Sequence, residues 1–134
     1  MKVTLKAVLV MLVALALAVL GGWLWGVSGT WRAEDALAKT AVGLHLATAR
    51  GSMLAARVNL FEVNFGDASR SLENAKANLV TAAASFDAMG LKNEAAAARE
   101  VASRVDDARQ LAGRLDQTAN TRLAEAMLLL PKMP

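Results

Sequence analysis

Side chains able to transfer protons, hold metals or attack carbonyls are sparse in this chain of 134 residues. His45 is its only histidine, and no Asp or Glu stands three or four residues away to orient it or share a ligand. Metal sites need several ligands at helical spacing, so His45 reads as a boundary residue of a helix. Asp106 and Asp107 form a carboxylate pair, but Arg104 and Arg109 flank them, which points to an ion-pair network rather than acid–base work. The chain has no cysteine, which removes thiol nucleophiles, thiolate metal sites, disulfides and the acylated cysteine of a bacterial lipoprotein. It has no tyrosine, no nucleophile with a base partner and no phosphate-cradling loop. The expectation is a non-enzyme with no cofactor, no metal and no small-molecule substrate.

Charge narrows the partners further. The net charge is +3, but Lys2 and Lys6 supply two of the positive charges, and the remainder is 13 basic against 12 acidic residues. No basic stripe with interleaved aromatics is present, so nucleic acid is not an expected partner. Arg99, Arg104, Arg109 and Arg114 alternate with Glu100, Asp106, Asp107 and Asp116, the mixed pattern of a solvated helix face.

The hydrophobic excess lies at the N-terminus. Leu5 to Val27 is 23 residues with one charge, Lys6, at its edge. As a helix it would be about 34 Å long, enough for a hydrocarbon core of roughly 30 Å. Trp23, Trp25 and Trp31, all the tryptophans of the chain, follow the apolar run, as expected at a membrane–water interface. A cleaved signal peptide is the rival reading, since Lys2 and Lys6 make a good n-region. The small-x-small patterns Ala14-Leu15-Ala16 and Ala16-Leu17-Ala18, however, fall inside the apolar run, and Val27-Ser28-Gly29 lies well past it. Two lysines before the segment and balanced charges after it place the N-terminus in the cytoplasm of a bacterial inner membrane and the remainder in the periplasm. Gly22 and Gly26 have the small-xxx-small spacing of paired membrane helices.

Residues 1–29 therefore read as a transmembrane anchor and residues 30–134 as an extracytoplasmic helical domain. Val27-Ser28-Gly29-Thr30 is expected to break the helix, with Thr30 as N-cap. No proline follows until Pro131, and the Ala-rich stretch between predicts helices over about 31–63, 67–89 and 92–130. The first carries the stripe Leu37, Ala41, Leu44, Ala47, Gly51, Leu54, Val58, Phe61 as its packed face. Asn64-Phe65-Gly66-Asp67 is the expected turn, with Asp67 capping the second helix. The second helix carries Ala68, Leu72, Ala75, Leu79, Ala82, Phe86 and Met89 in strict 4–3 steps, a coiled-coil-like seam that Gly90 ends. The third carries Ala98, Val101, Val105, Ala108, Ala112, Leu115, Ala119, Leu123, Ala126 and Leu130. Phe61, Phe65 and Phe86, the only phenylalanines, lie on or beside these stripes and read as core. The fold class is all-α: one transmembrane helix, then an antiparallel three-helix bundle or a helical hairpin plus a long C-terminal helix. Met127-Leu128-Leu129-Leu130 wraps much of a helix in apolar side chains, more than one bundle face can bury, and is the candidate contact with a partner.

The run Asn64 to Lys76 resembles the turn and second helix of a tetratricopeptide repeat. That family places an aromatic just before the second helix, an alanine three residues on and another alanine seven residues later, as Phe65, Ala68 and Ala75 do here. The resemblance covers about 13 residues. The preceding helix is more than twice a repeat's usual length and lacks its Trp-Leu-Gly-Tyr pattern, and no 34-residue period recurs. The resemblance implies a tightly packed hairpin and a protein-interaction role.

An anchor, a helical domain and an apolar end together lead to the expectation of a non-catalytic accessory or scaffolding subunit docking onto a larger envelope complex. The alternatives are a self-assembling structural membrane protein, or a soluble exported binding protein if the N-terminus is cleaved. Expected partners are membrane lipid and another protein or further copies of the chain.

Overall fold

The computed structural model describes the backbone of residues 5–132; towards the N-terminus it describes the side chains of Val8, residues 10–20 and Gly22, and then those of 34–132. Among these residues the structure is all-α. Helix α1 is Leu5–Phe61, α2 Phe65–Ala88, α3 Lys92–Gly113 and α4 Thr118–Leu128. The break expected at Val27-Ser28-Gly29-Thr30 is absent, and so is the helix start at Trp31: the backbone of α1 is helical throughout. Inside a proline-free helix a glycine costs only about 1 kcal/mol and a serine less, too little to open it. The chain divides into two compact units, Met1–Leu37 and Ala38–Pro134.

In the first unit every described side chain from Val10 to Leu20 is apolar and exposed. Among the described residues no helix is long and apolar enough to cross a membrane. The continuous described run, 10–20, covers 11 positions of the predicted span. Lys2 lies outside the described residues, as do the side chains of Lys6, Gly26 and the three tryptophans.

The second unit is a helical bundle, and three chain reversals build it. Each has the same hydrogen-bond signature, a 6→1 bond enclosing a 5→2 bond around a left-handed residue. After α1, Asn64 N–H donates to Asn59 O at 2.8 Å and Val63 N–H to Leu60 O at 3.2 Å. After α2, Leu91 N–H donates to Phe86 O at 2.9 Å and Gly90 N–H to Asp87 O at 3.0 Å. After α3, Asp116 N–H reaches Leu111 O and Leu115 N–H reaches Ala112 O, both at 3.0 Å. The left-handed residues are Val63 (φ 59°), Gly90 (φ 77°) and Leu115 (φ 59°).

Gly90 takes the role its sequence position predicts. The first reversal sits earlier than expected, at Glu62–Asn64 rather than Asn64–Asp67. Asn64 is the N-cap of α2: its side-chain oxygen accepts from Asp67 N–H at 3.3 Å, so Asp67 is an acid inside the first turn, not the cap. With Asn64 committed to capping, the positive φ falls to Val63. The third reversal splits the predicted 92–130 helix in two. Gly113 weakens the end of α3, Leu115 turns left-handed, and Asp116 accepts from both the N–H and the hydroxyl of Thr118 at 2.8 Å, which starts α4.

Four helical segments therefore replace the three expected in this unit. Residues 38–61 of α1 reach α2 through His45 and Asn78, whose Nδ1 and Oδ1 lie 3.1 Å apart. They reach α4 through Arg57, whose Nε donates to Asn120 Oδ1 at 2.9 Å. Helix α2 packs on α3, and α3 on α4. The order of the cross-links makes successive helices antiparallel, an up-down-up-down bundle.

The interior is built on alanine. Ala49, Ala56, Ala68, Ala75, Ala82, Ala95, Ala98, Ala108, Ala112, Ala119 and Ala126 are fully buried, so the helices approach closely. Phe86, Met53, Leu72, Leu79 and Leu123 supply the bulk. Among the described residues no polar or charged side chain is buried.

Candidate docking surfaces

Helix α1 presents two apolar faces, and the bundle uses the one the sequence stripe did not select. Val42, Leu46, Ala49, Met53, Ala56 and Leu60 are buried, in steps of 4, 3, 4, 3, 4. The predicted stripe points out: Leu44 is 66 % exposed, Leu54 47 %, Val58 55 % and Phe61 71 %. Phe61 is thus a surface residue, not a core one. Both stripes have helical periodicity, and the inner one is the face that the Val63 reversal turns towards α2. The inner stripe has the same 3–4 alternation in the sequence, and the two stripes carry apolar side chains of comparable bulk, so neither spacing nor size tells them apart.

On α2, Ala68, Leu72, Ala75, Leu79 and Phe86 are buried, while Phe65 is half-buried against the core. On the C-terminal stripe, Leu115 is exposed because its backbone is the left-handed turn residue.

The C-terminal apolar run divides by helical phase. Met127 and Leu130 are half-buried and pack on the core, whereas Leu128 is 86 % and Leu129 43 % exposed. A cavity of about 360 Å³ lies on the inner side, lined by Leu46, Ala47 and Arg50 of α1 and by Met127, Leu130, Pro131 and Lys132. The C-terminal end therefore folds back along α1 and leaves two leucines free.

Polar side chains are organised in pairs on the helix surfaces. Asp106 lies 2.9 Å from Lys76 Nζ and 3.2 Å from Arg109 Nε, tying α2 to α3. The Lys76 ammonium holds the Asp106 carboxyl below its usual range against the opposing effect of burial, with a lesser contribution from Arg109. Asp107 is exposed and faces a second cavity, of about 390 Å³, between α3 and α4, which Arg104, Arg114, Arg122 and Glu125 also line. Two of those arginines are already engaged: Arg104 with Glu100 at 2.8 Å and Arg122 with Glu125 at 3.3 Å. Arg99 pairs with Asp87 across α2 and α3, and Arg70 with Asp67 within α2. Among the described residues no three of His, Asp or Glu converge as a metal site would require. These surfaces leave apolar area exposed at the outer face of α1 and at Leu128 and Leu129.

Compared with protein-family models, with curated proteins and with solved structures, the chain gave no match.

Proposed function

We propose that this protein is a non-catalytic accessory or scaffolding subunit, anchored by its N-terminal helix in a bacterial inner membrane, that docks its periplasmic helical bundle onto a larger envelope protein complex. The observation that carries the reading is the run Val10–Leu20, a helix whose described side chains are apolar and exposed on every side. Three turns of such surface are costly in water and at home in hydrocarbon. Lys2 and Lys6 before the span put the N-terminus in the cytoplasm, and the tryptophans after it suit the outer interface. Docking rests on Leu128 and Leu129, two adjacent leucines left in solvent at the end of α4. The resemblance of Asn64–Lys76 to a tetratricopeptide hairpin favours the same interaction role.

The test is intact mass and co-purification of the protein extracted from native membranes in mild detergent. The expected result is a full-length mass within a larger assembly that Leu128→Glu/Leu129→Glu dissolves while the helical spectrum is kept. A soluble species lacking roughly 20–30 N-terminal residues, the length of a signal peptide, would instead make this an exported binding protein. An assembly indifferent to the double substitution would remove this end as the contact.

A further inference from the structure

We propose that the outer face of α1 is the pairing surface for a second copy of this chain, in parallel and in register. The seam is Leu44, Ala47, Gly51, Leu54, Val58 and Phe61, in strict steps of 3, 4, 3, 4, 3. That is the a/d alternation of a left-handed coiled coil, and it specifies a helix as the occupant. A bundle helix that had only to face water would carry polar residues here. Gly51 fits the same reading. It sits in mid-helix with nothing within 4 Å of where a Cβ would be, so the fold of one copy does not require it, and it weakens the helix by about 1 kcal/mol. A close helix crossing gives it a use.

Charge identifies the occupant and its direction. With Leu44, Gly51 and Val58 at a and Ala47, Leu54 and Phe61 at d, the g positions are Arg50 and Arg57 and the e positions Thr48, Ala55 and Glu62. In a parallel pair each g residue meets the e residue five places on in its mate. Arg57 then meets Glu62 of the second copy, twice by symmetry, and Arg50 meets Ala55. Glu62 N–H still donates to Val58 O at 3.0 Å, so it keeps the helical path. Arg57 gives only its Nε to Asn120, which leaves its terminal nitrogens for the mate. In the antiparallel register that packs Leu44 on Leu54, the two Arg50 side chains meet at the two-fold axis with no acid nearby. No Asp or Glu occurs between Asp35 and Glu62 to relieve them. Of these two arrangements, the parallel one pairs the seam's charges.

The seam is about 27 Å long and a helix is about 10 Å across, so pairing covers roughly 500 Å² over both chains, well under the 1,200–2,000 Å² of interfaces that hold in dilute solution. The pair therefore depends on confinement of both copies to one membrane, which raises the effective concentration. In this respect it rests on the anchored reading above.

Because the chain has no cysteine, single substitutions report the pairing cleanly. Leu44→Cys, Leu54→Cys and, as an exposed control on α2, Val80→Cys are each expressed in the full chain, and isolated membranes are oxidised with copper phenanthroline. Disulfides form only between Cα atoms closer than about 7 Å. The expected result is that Leu44→Cys and Leu54→Cys each couple to themselves at least about tenfold faster than Val80→Cys. Coupling no faster than the control in membrane-bound chain overturns the proposal. So does coupling only when the two variants are mixed, which is the antiparallel signature. Fractionation separates this from failure of the anchor. Chain recovered in the soluble fraction overturns the anchor, and there self-coupling of both variants in concentrated soluble protein still supports the pair, while its absence overturns both.

Discussion

Leu44 and Leu46 are two residues apart on one helix and belong to opposite faces, so the same substitution at each tests the assignment of faces directly. Leu46 is 6 % exposed within the core. Truncation there removes buried methylenes and leaves a cavity among close-packed alanines that have little freedom to fill it, so Leu46→Ala is expected to cost about 2–5 kcal/mol. Leu44 keeps only about a third of its surface covered in a single copy. The three carbons lost are worth about 2.4 kcal/mol when fully buried, so about 0.8 kcal/mol at this position. Alanine returns about 0.2 kcal/mol in helix propensity, which leaves a net cost of about 0.6 kcal/mol. The assay is guanidinium denaturation followed by far-ultraviolet circular dichroism, on full-length chain in mild detergent, dilute enough to be monomeric. The midpoint should fall sharply for Leu46→Ala and barely for Leu44→Ala, at constant m-value. If Leu44→Ala costs 2 kcal/mol or more while Leu46→Ala costs less than about 1 kcal/mol, the faces are reversed and the outer seam is core. The docking proposals for α1 then fall with it.

Two further outcomes follow from the turns and the surface pairs. Val63 is β-branched and left-handed, a conformation that costs an L-residue roughly 1–2 kcal/mol, so Val63→Gly should stabilise the bundle by about 0.5–1 kcal/mol after glycine's own entropy is counted; a loss of stability in the same denaturation assay would show that Val63 is held there by packing. The carboxyls of Asp67 (hydrogen-bonded by Arg70, then Asn64), Asp106 (by Lys76, then Arg109) and Asp116 (by Thr118) all sit below their usual range in the fold. A lowered folded-state pKa stabilises above the unfolded value, near about pH 4, and that contribution disappears as pH falls through the lowered one. Thermal midpoints should therefore drop on acidification below about pH 4, and Asp106→Asn should flatten part of that slope while lowering the neutral-pH midpoint; an unchanged slope would mean that the Lys76–Asp106–Arg109 cluster does not form.

Legibility in the sequence varied with how many residues carried each signal. The buried face and the end of α2 were readable, because one unambiguous seam runs its length and Gly90 ends it, whereas its start was expected at Asp67 and lies at Phe65 behind the Asn64 cap. The division between α3 and α4 was not, because its signals are local and individually weak: a glycine at the end of a helix, a leucine in a conformation leucine seldom takes, and an aspartate that caps. Apolar periodicity runs in phase across that interruption, from Ala98 to Ala126, so a pattern-based reading joins the two helices. The faces of α1 failed for a different reason. Periodicity locates an apolar stripe but does not say which of two stripes is covered, and side chains of comparable bulk lie on both. The outward leucines of the C-terminal end were legible as a surplus, while the split between Met127 and Leu130 inside and Leu128 and Leu129 outside needed the phase of α4.

An alanine interior gives a physical link between the bundle and its proposed pairing. Each buried alanine removes little apolar surface from water compared with leucine or phenylalanine, so the favourable term per ordered residue is small and rests on a few bulky side chains, Phe86, Met53, Leu72, Leu79 and Leu123. Close helix approach recovers dispersion contacts but leaves a modest margin. A second copy seated on Leu44–Phe61 would cover the largest apolar side chains that the bundle leaves in solvent on α1 and would stabilise the folded form by mass action. Assembly on the membrane and completion of the fold would then be coupled, and Leu46→Ala should be less damaging in native membranes than in dilute detergent. Equal loss of stability in both settings would mean that the bundle is self-sufficient and that its outer face adds nothing to folding.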